Sequence, residues 1–379
     1  MTIRLHWYLP TSGDGRDVVG WVNSAIATRE RRPADRPPDI GYLADVARAA
    51  ERFGFDAVLT PTGTWCEDPW LVTAALLGET ATLRFIVAIR PDAMSPTLAA
   101  QMAATFQQIS HGRLLLNIVC GSDDDEQRRF GDWLEHDARY DRAEEFLQIF
   151  RGAWSGHPFD FDGRYYRVAG ATIGATQAER PALYIGGASE AAQRVVGGHA
   201  DVCLMWGEPP AATAERIAAV RSRTGLYQRT PRFAVRLHVI TRDTSAQAWA
   251  EADRLLAAMD PVAISVAQRQ FARTTSVGQQ RMAALHGGRT DALEVSPNLW
   301  AGYGLLRRHA GTALVGSHRE VADRIAEYHQ LGIDEFIFSN QPHLEEAYQF
   351  GEGVLPILRD RGLHSTTQQT ALPVDLVAS

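Results

Sequence analysis

The chain has 379 residues, of which 45% are hydrophobic and 22% charged, and a formal net charge of −7. That balance supports a large core and argues against an electrostatic footprint for nucleic acid or an anionic membrane. All 38 basic residues are arginine, which excludes a P-loop, with its required lysine, and a Schiff-base enzyme, with its required amine.

Eight apolar, strand-like runs recur along the chain, near 3–9, 55–61, 83–90, 113–121, 182–187, 201–206, 232–240 and 334–339. Amphipathic segments separate them; Leu43, Val46, Ala50 and Phe53, for example, fall on one helical face. "RFGFDAVL" and "QLGIDEFIF" share a joint in which glycine ends a helix and Asp leads into a strand. Alternation of this kind predicts an α/β fold, a parallel (β/α)8 TIM barrel, as a single domain over 1–362. A doubly wound sheet is the alternative, weakened by the lack of GxGxxG after the first strand. Three segments exceed a minimal barrel. "FDFDGRYYRV", 159–168, reads as a surface hairpin; about 260–293 reads as a mobile lid insertion; 363–379 reads as a C-terminal tail that needs a partner to become ordered.

Cys66, Cys120 and Cys203 lie far apart and form neither a disulfide framework nor a CxxC site, and the 12 histidines show no HExxH spacing. No metal site is expected. No apolar run approaches membrane-spanning length and no cleavable hydrophobic segment opens "MTIRLHWYLP", so the expected location is cytoplasmic.

Chemistry in a barrel sits at the C-terminal ends of the strands. In "RFAVRLHVI", Phe233, Val235, Leu237 and Val239 share one face while Arg236 and His238 share the other, pointing into the barrel. Two such groups converging on one face favour an anion site over an internally neutralised arginine. Gly186, Gly187, Ala188 and Ser189 sit between a strand and a helix, where backbone N–H groups either meet an anion or simply form a capped turn. Asn117 is placed to bond a heterocycle or a neighbouring backbone group, and Trp206 to wall a pocket or the core. "DDDE", 123–126, reads as a solvated loop.

Together the motifs resemble the two-component, reduced-flavin-dependent alkanesulfonate monooxygenases of the bacterial luciferase-like superfamily. The resemblance runs from "LPTSGDG" to "PHLEEAY" and includes "CEDPWLV", "SPTLAAQMAATF", "WGEPP", "RLHVITRDT", "SVGQQRMAALH" and "SPNLWAG". It implies a (β/α)8 barrel assembled as a homo-oligomer. It further implies reduced FMN (FMNH2) supplied by a separate NAD(P)H-dependent reductase, O2 as co-substrate, and release of sulfite and an aldehyde from an organosulfonate. By the same resemblance Arg236, His238, Arg307 and His343 fall on the catalytic set, with Trp206 at the substrate. Cys66, Asn117 and Tyr140 fall around the flavin, and 186–189 on its phosphate site. The chain departs from the family pattern at Ser12 for His, Trp65 in "GTWCED", Cys120 in "VCG", and Asn340 and Gln341 where "SGYPHLEE" has glycine and tyrosine. Amide groups at 340 and 341 beside a flat Trp65 suggest a hydroxylated substrate, with sulfoquinovose the specific candidate and methanesulfonate the simpler one. A deazaflavin-dependent hydride-transfer enzyme and a non-catalytic flavin-binding protein are the rival readings.

Overall fold

The computed structural model describes residues 2–18, 35–121, 123–174 and 179–365. Strand β1 (Arg4–Tyr8) leads to α1 (Ile40–Phe53), β2 (Ala57–Thr60), α2 (Pro69–Leu76), β3 (Arg84–Ile89), α3 (Pro96–Ser110) and β4 (Leu114–Ile118). Then come α4 (Asp124–Arg129), α5 (His136–Ala153), the antiparallel hairpin β5 (Phe159–Asp162) and β6 (Arg167–Ala171), and β7 (Leu183–Gly186). The second half begins with α6 (Glu190–His199), β8 (Val202–Trp206), α7 (Pro210–Gly225) and β9 (Arg232–Arg242). Helices α8 (Ser245–Ala257), α9 (Pro261–Phe271) and α10 (Val277–His286) follow. The chain continues through β10 (Glu294–Ser296), β11 (Leu299–Trp300), β12 (Ala313–Ser317), α11 (His318–Gln330), β13 (Glu335–Ser339) and α12 (His343–Asp360).

Eight parallel strands close on themselves in the order β1, β2, β3, β4, β7, β8, β9 and β13, which returns to β1. These are the eight runs expected from the sequence. Strand β9 has 11 residues and so reaches two partners on one edge. Its Arg232–Arg236 stretch pairs with β8 and its His238–Arg242 stretch with β12, a strand outside the closed barrel that the apolar pattern did not reveal, while Ala234–His238 pairs with β13 on the other edge.

Local chemistry sets the joints. Asp39 caps α1 by accepting from the Tyr42 N–H, and Gly54, at φ +82°, ends it by donating to Ala50 and Glu51. The barrel lumen is packed by Ala57, Ile86, Leu115, Tyr184, Val202, Ala234 and Ile337, one layer in from the larger core between strands and helices. Period-two alternation of β9 holds: Phe233, Val235, Leu237 and Val239 face the helices, while Ala234 faces the lumen.

The 260–293 segment is mostly two helices, α9 capped by Asp260 and α10 capped by Ser276. Of the expected tail, Leu363 and His364 pack on the barrel, His364 against the carbonyls of Ile3 and Gly54, and 366–379 lie outside the described residues. "DDDE" is not a solvated loop. It starts α4, and Asp123, Asp124 and Glu126 pair with Arg308, Arg139 and Arg90, tying the β4 exit to three other segments. No described helix is long and apolar enough to cross a membrane.

Candidate active site

A cavity of about 250 Å³ opens at the C-terminal ends of the barrel strands. Of the residues expected from the sequence, it is lined by Arg236, His238, Arg307, Trp206, Trp65, Asn117, Tyr140 and the turn Gly186, Gly187, Ala188, Ser189. Ser276, Val277 and Gly278, at the start of α10, bring the 260–293 segment to the same cavity.

One wall is cationic and tightly wired. Arg236 is buried and donates to the Leu237 carbonyl (2.6 Å), the Ile337 carbonyl (3.3 Å) and Ser339 Oγ (2.6 Å). All three acceptors are neutral. Burial, with the nearby charge of Arg307, pulls its pKa down to about 10. Ser339 Oγ in turn donates to His238 Nδ1 (2.8 Å), and His238 Nε2 meets the Ala310 carbonyl at 3.1 Å. A carbonyl only accepts, so Nε2 carries the proton and Nδ1 is left to accept from Ser339. Tyr303 stacks on the His238 ring at 4.0 Å, and the Arg307 guanidinium lies 5.4 Å from the Tyr303 ring. Burial, then Arg236 and Arg307, hold His238 well below its usual pKa. NMR of ¹⁵N-labelled histidine is expected to show a neutral Nε2–H ring with no titration between about pH 5.5 and 8. A midpoint near ~6.5 would refute this wiring.

The turn after β7 forms another part of the lining. Ser189 caps α6 by accepting from the Ala192 N–H at 3.2 Å, so the turn after β7 presents backbone at a helix N-terminus. Gly187, at φ +144°, is required there: a Cβ would stand 2.3 Å from Ala192 Cβ and 2.8 Å from Tyr140 Oη. This turn of backbone at a helix N-terminus fits a phosphate such as that of FMN, with Tyr140 beside it and Asn117 on β4 lining the same cavity.

Five expected residues do not line the cavity. Ser12 sits in a turn in which the Gly13 N–H donates to Pro10. Cys66 directs its sulfur at the carbonyls of Pro61 and Gly63, and burial pushes its thiol up to about 12. Asn340 is buried, its Oδ1 accepting from the Tyr303 hydroxyl, and Gln341 is buried at the cis Gln341–Pro342 peptide. His343 donates to Asp14 from its backbone N–H (2.6 Å) and from Nδ1 (3.0 Å). Burial pushes its pKa down, outweighing the pull of Asp14. The sequence reading missed Tyr8, Ser339, Tyr303 and His309. Tyr8 and His309 line the cavity, and burial pushes His309 to about 4.

The cavity lies at the C-terminal mouth of a TIM barrel, the face on which enzymes of this fold carry their active sites. The chain belongs to the luciferase-like monooxygenase family, whose model matches residues 19–335. It is similar to a crystal structure of riboflavin lyase with modified FMN and riboflavin: 22% identity over 97% of this chain and 93% of that one, TM-score 0.77. It is also similar to EDTA monooxygenase from Chelativorans sp. BNC1 (20% identity, 98% and 97% covered, TM-score 0.76) and to a long-chain alkane monooxygenase (19%, 96% and 93%, 0.76). At such identities the likeness is one of fold.

Proposed function

We propose that the protein uses FMNH2 and O2 to desulfonate an organosulfonate, giving an aldehyde and sulfite. The C–S bond breaks, one oxygen atom of O2 ends in the aldehyde, and the other leaves as water with two reducing equivalents from the flavin. The observation that carries this reading is Arg236, a buried guanidinium facing the cavity with only neutral acceptors, beside Arg307. A sulfonate is a permanent anion whose oxygens suit such forks.

FMN, held by phosphate at 186–189, supplies the redox chemistry when bound. The chain's own residues do the rest. Arg236 and Arg307 orient the head group, Trp206 and Trp65 give the substrate apolar walls, and neutral His238, its one N–H given to the Ala310 carbonyl, adds no third charge. The α9–α10 segment is placed to act as a lid that excludes water. Reduced flavin comes from a separate NAD(P)H-dependent reductase, and the working form is a homo-oligomer.

Asn340 and Gln341, which suggested a hydroxylated substrate, are buried behind the cavity wall, so of that argument only Trp65 remains. The preference therefore moves from sulfoquinovose to sulfonates with an apolar tail. The test is anaerobic mixing of protein, reduced FMN and a sulfonate panel, followed by oxygen and a sulfite assay. Sulfite is expected from alkanesulfonates. Sulfite from sulfoquinovose alone would reverse the substrate preference, and none from any member would overturn the reading in favour of hydride transfer or binding without turnover.

A further inference from the structure

We propose that Tyr8 is a third hydrogen-bond donor to the anionic head group of the substrate, acting beside Arg236 and Arg307. This rests on reading the cavity as an organosulfonate site. Tyr8 ends β1, and its ring enters the top of the lumen, where it packs on the inner core and lines the cavity. The Arg236 guanidinium carbon lies 4.9 Å from the ring centroid, and the His343 ring, locked by Asp14, lies 5.6 Å away. The phenol is thus held in place by groups that do not touch its oxygen.

That oxygen is the informative atom. Three fully buried phenols are satisfied within the protein: Tyr184 donates to Glu335 (2.5 Å), Tyr328 to the Glu208 carbonyl (2.6 Å) and Tyr303 to Asn340, whereas the two tyrosines that line the cavity, Tyr8 and Tyr140, make no such bond. Among the described residues Tyr8 Oη has no hydrogen-bond partner, and it stands in the cavity that Arg236 and Arg307 line. Burial pushes the Tyr8 pKa upward, and the two arginines offset this only in part, so at neutral pH the group is an O–H donor turned to the cavity. A sulfonate presents three equivalent oxygens; two guanidinium forks and one phenol match that number.

A plainer role for Tyr8, as a flat platform under Arg236, predicts that the ring alone suffices. Tyr8→Phe keeps the ring and removes only the oxygen. The full-length wild type and Tyr8→Phe are titrated with methanesulfonate by calorimetry, and both are melted thermally. The expected result is a methanesulfonate site weakened by about 10- to 100-fold with the melting temperature preserved. Equal affinity in the two proteins would overturn the proposal, as would a wild type that binds no methanesulfonate. Binding that depends on Tyr8 in a protein that releases no sulfite from the panel would sustain the donor role and sink the desulfonation reading instead.

Discussion

Replacing Arg236 by methionine is expected to lower kcat/KM for an accepted sulfonate by roughly 100- to 10,000-fold and, in the same protein, to raise the melting temperature. The loss follows from two charge-assisted hydrogen bonds to the substrate, each worth about 1.5–3 kcal/mol. The gain follows from what surrounds the guanidinium in the free protein. It is buried, it is bonded to two carbonyls and a serine hydroxyl, and a second guanidinium, Arg307, lines the same cavity. Removing an ion from water costs several kcal/mol, and a neutral acceptor returns about 1 kcal/mol, so the folded protein carries a net penalty that only an anion relieves. Methionine has a similar length and no such penalty. Steady-state kinetics and a thermal melt on one preparation check both halves. If activity and melting temperature fell together, Arg236 would be a structural residue and the anion site would need another location.

The sequence made the barrel legible because its strands obey period two and its joints use glycine. The β9 pattern alone placed Arg236 and His238 on the cavity side, and the run of small residues at 186–189 lies on the same lining. What stayed hidden depends on partners remote in sequence. Ser339 bridges Arg236 and His238 across about a hundred residues, and nothing in "DEFIFS" announces it. The amide of Asn340 looked available for a substrate, yet it is buried with its oxygen taken by Tyr303, a contact that forms only once β13 and the turn at 302–305 are packed together. The acids at 123–126 suggested solvent for the same reason, since their arginine partners come from the residue after β3, from α5 and from the segment after that turn. Tyr8 was passed over as one more apolar strand residue, because a strand's period gives the face of a side chain but not whether its oxygen finds a partner.

The opposite end of the lumen carries the largest expected effect on stability. Glu335 is fully buried at the start of β13 and accepts from Tyr184 Oη (2.5 Å), Arg232 Nε (2.8 Å) and His6 Nε2 (3.0 Å). Glu335→Ala is expected to destabilise the fold by about 3–5 kcal/mol, because it leaves a buried phenol, an imidazole and a guanidinium without their common acceptor. Burial alone would raise the Glu335 pKa, but the hydrogen bond and charge of His6, then Arg232 and Tyr184, lower it to about 2 from the ordinary 4.5. A carboxylate depressed in the folded state adds stability that is complete above its unfolded pKa and vanishes as pH falls through the folded one. The window is therefore about pH 4.5 down to 2, and the stability lost across it is about 3 kcal/mol. Urea unfolding at neutral pH and at steps through that window reads both quantities. The wild type is expected to weaken progressively below pH 4.5, and Glu335→Ala to start weaker and to lack this part of the acid slope. A variant within about 1 kcal/mol of wild type at neutral pH, or one keeping the full slope, would mean that Glu335 does not organise the lumen floor.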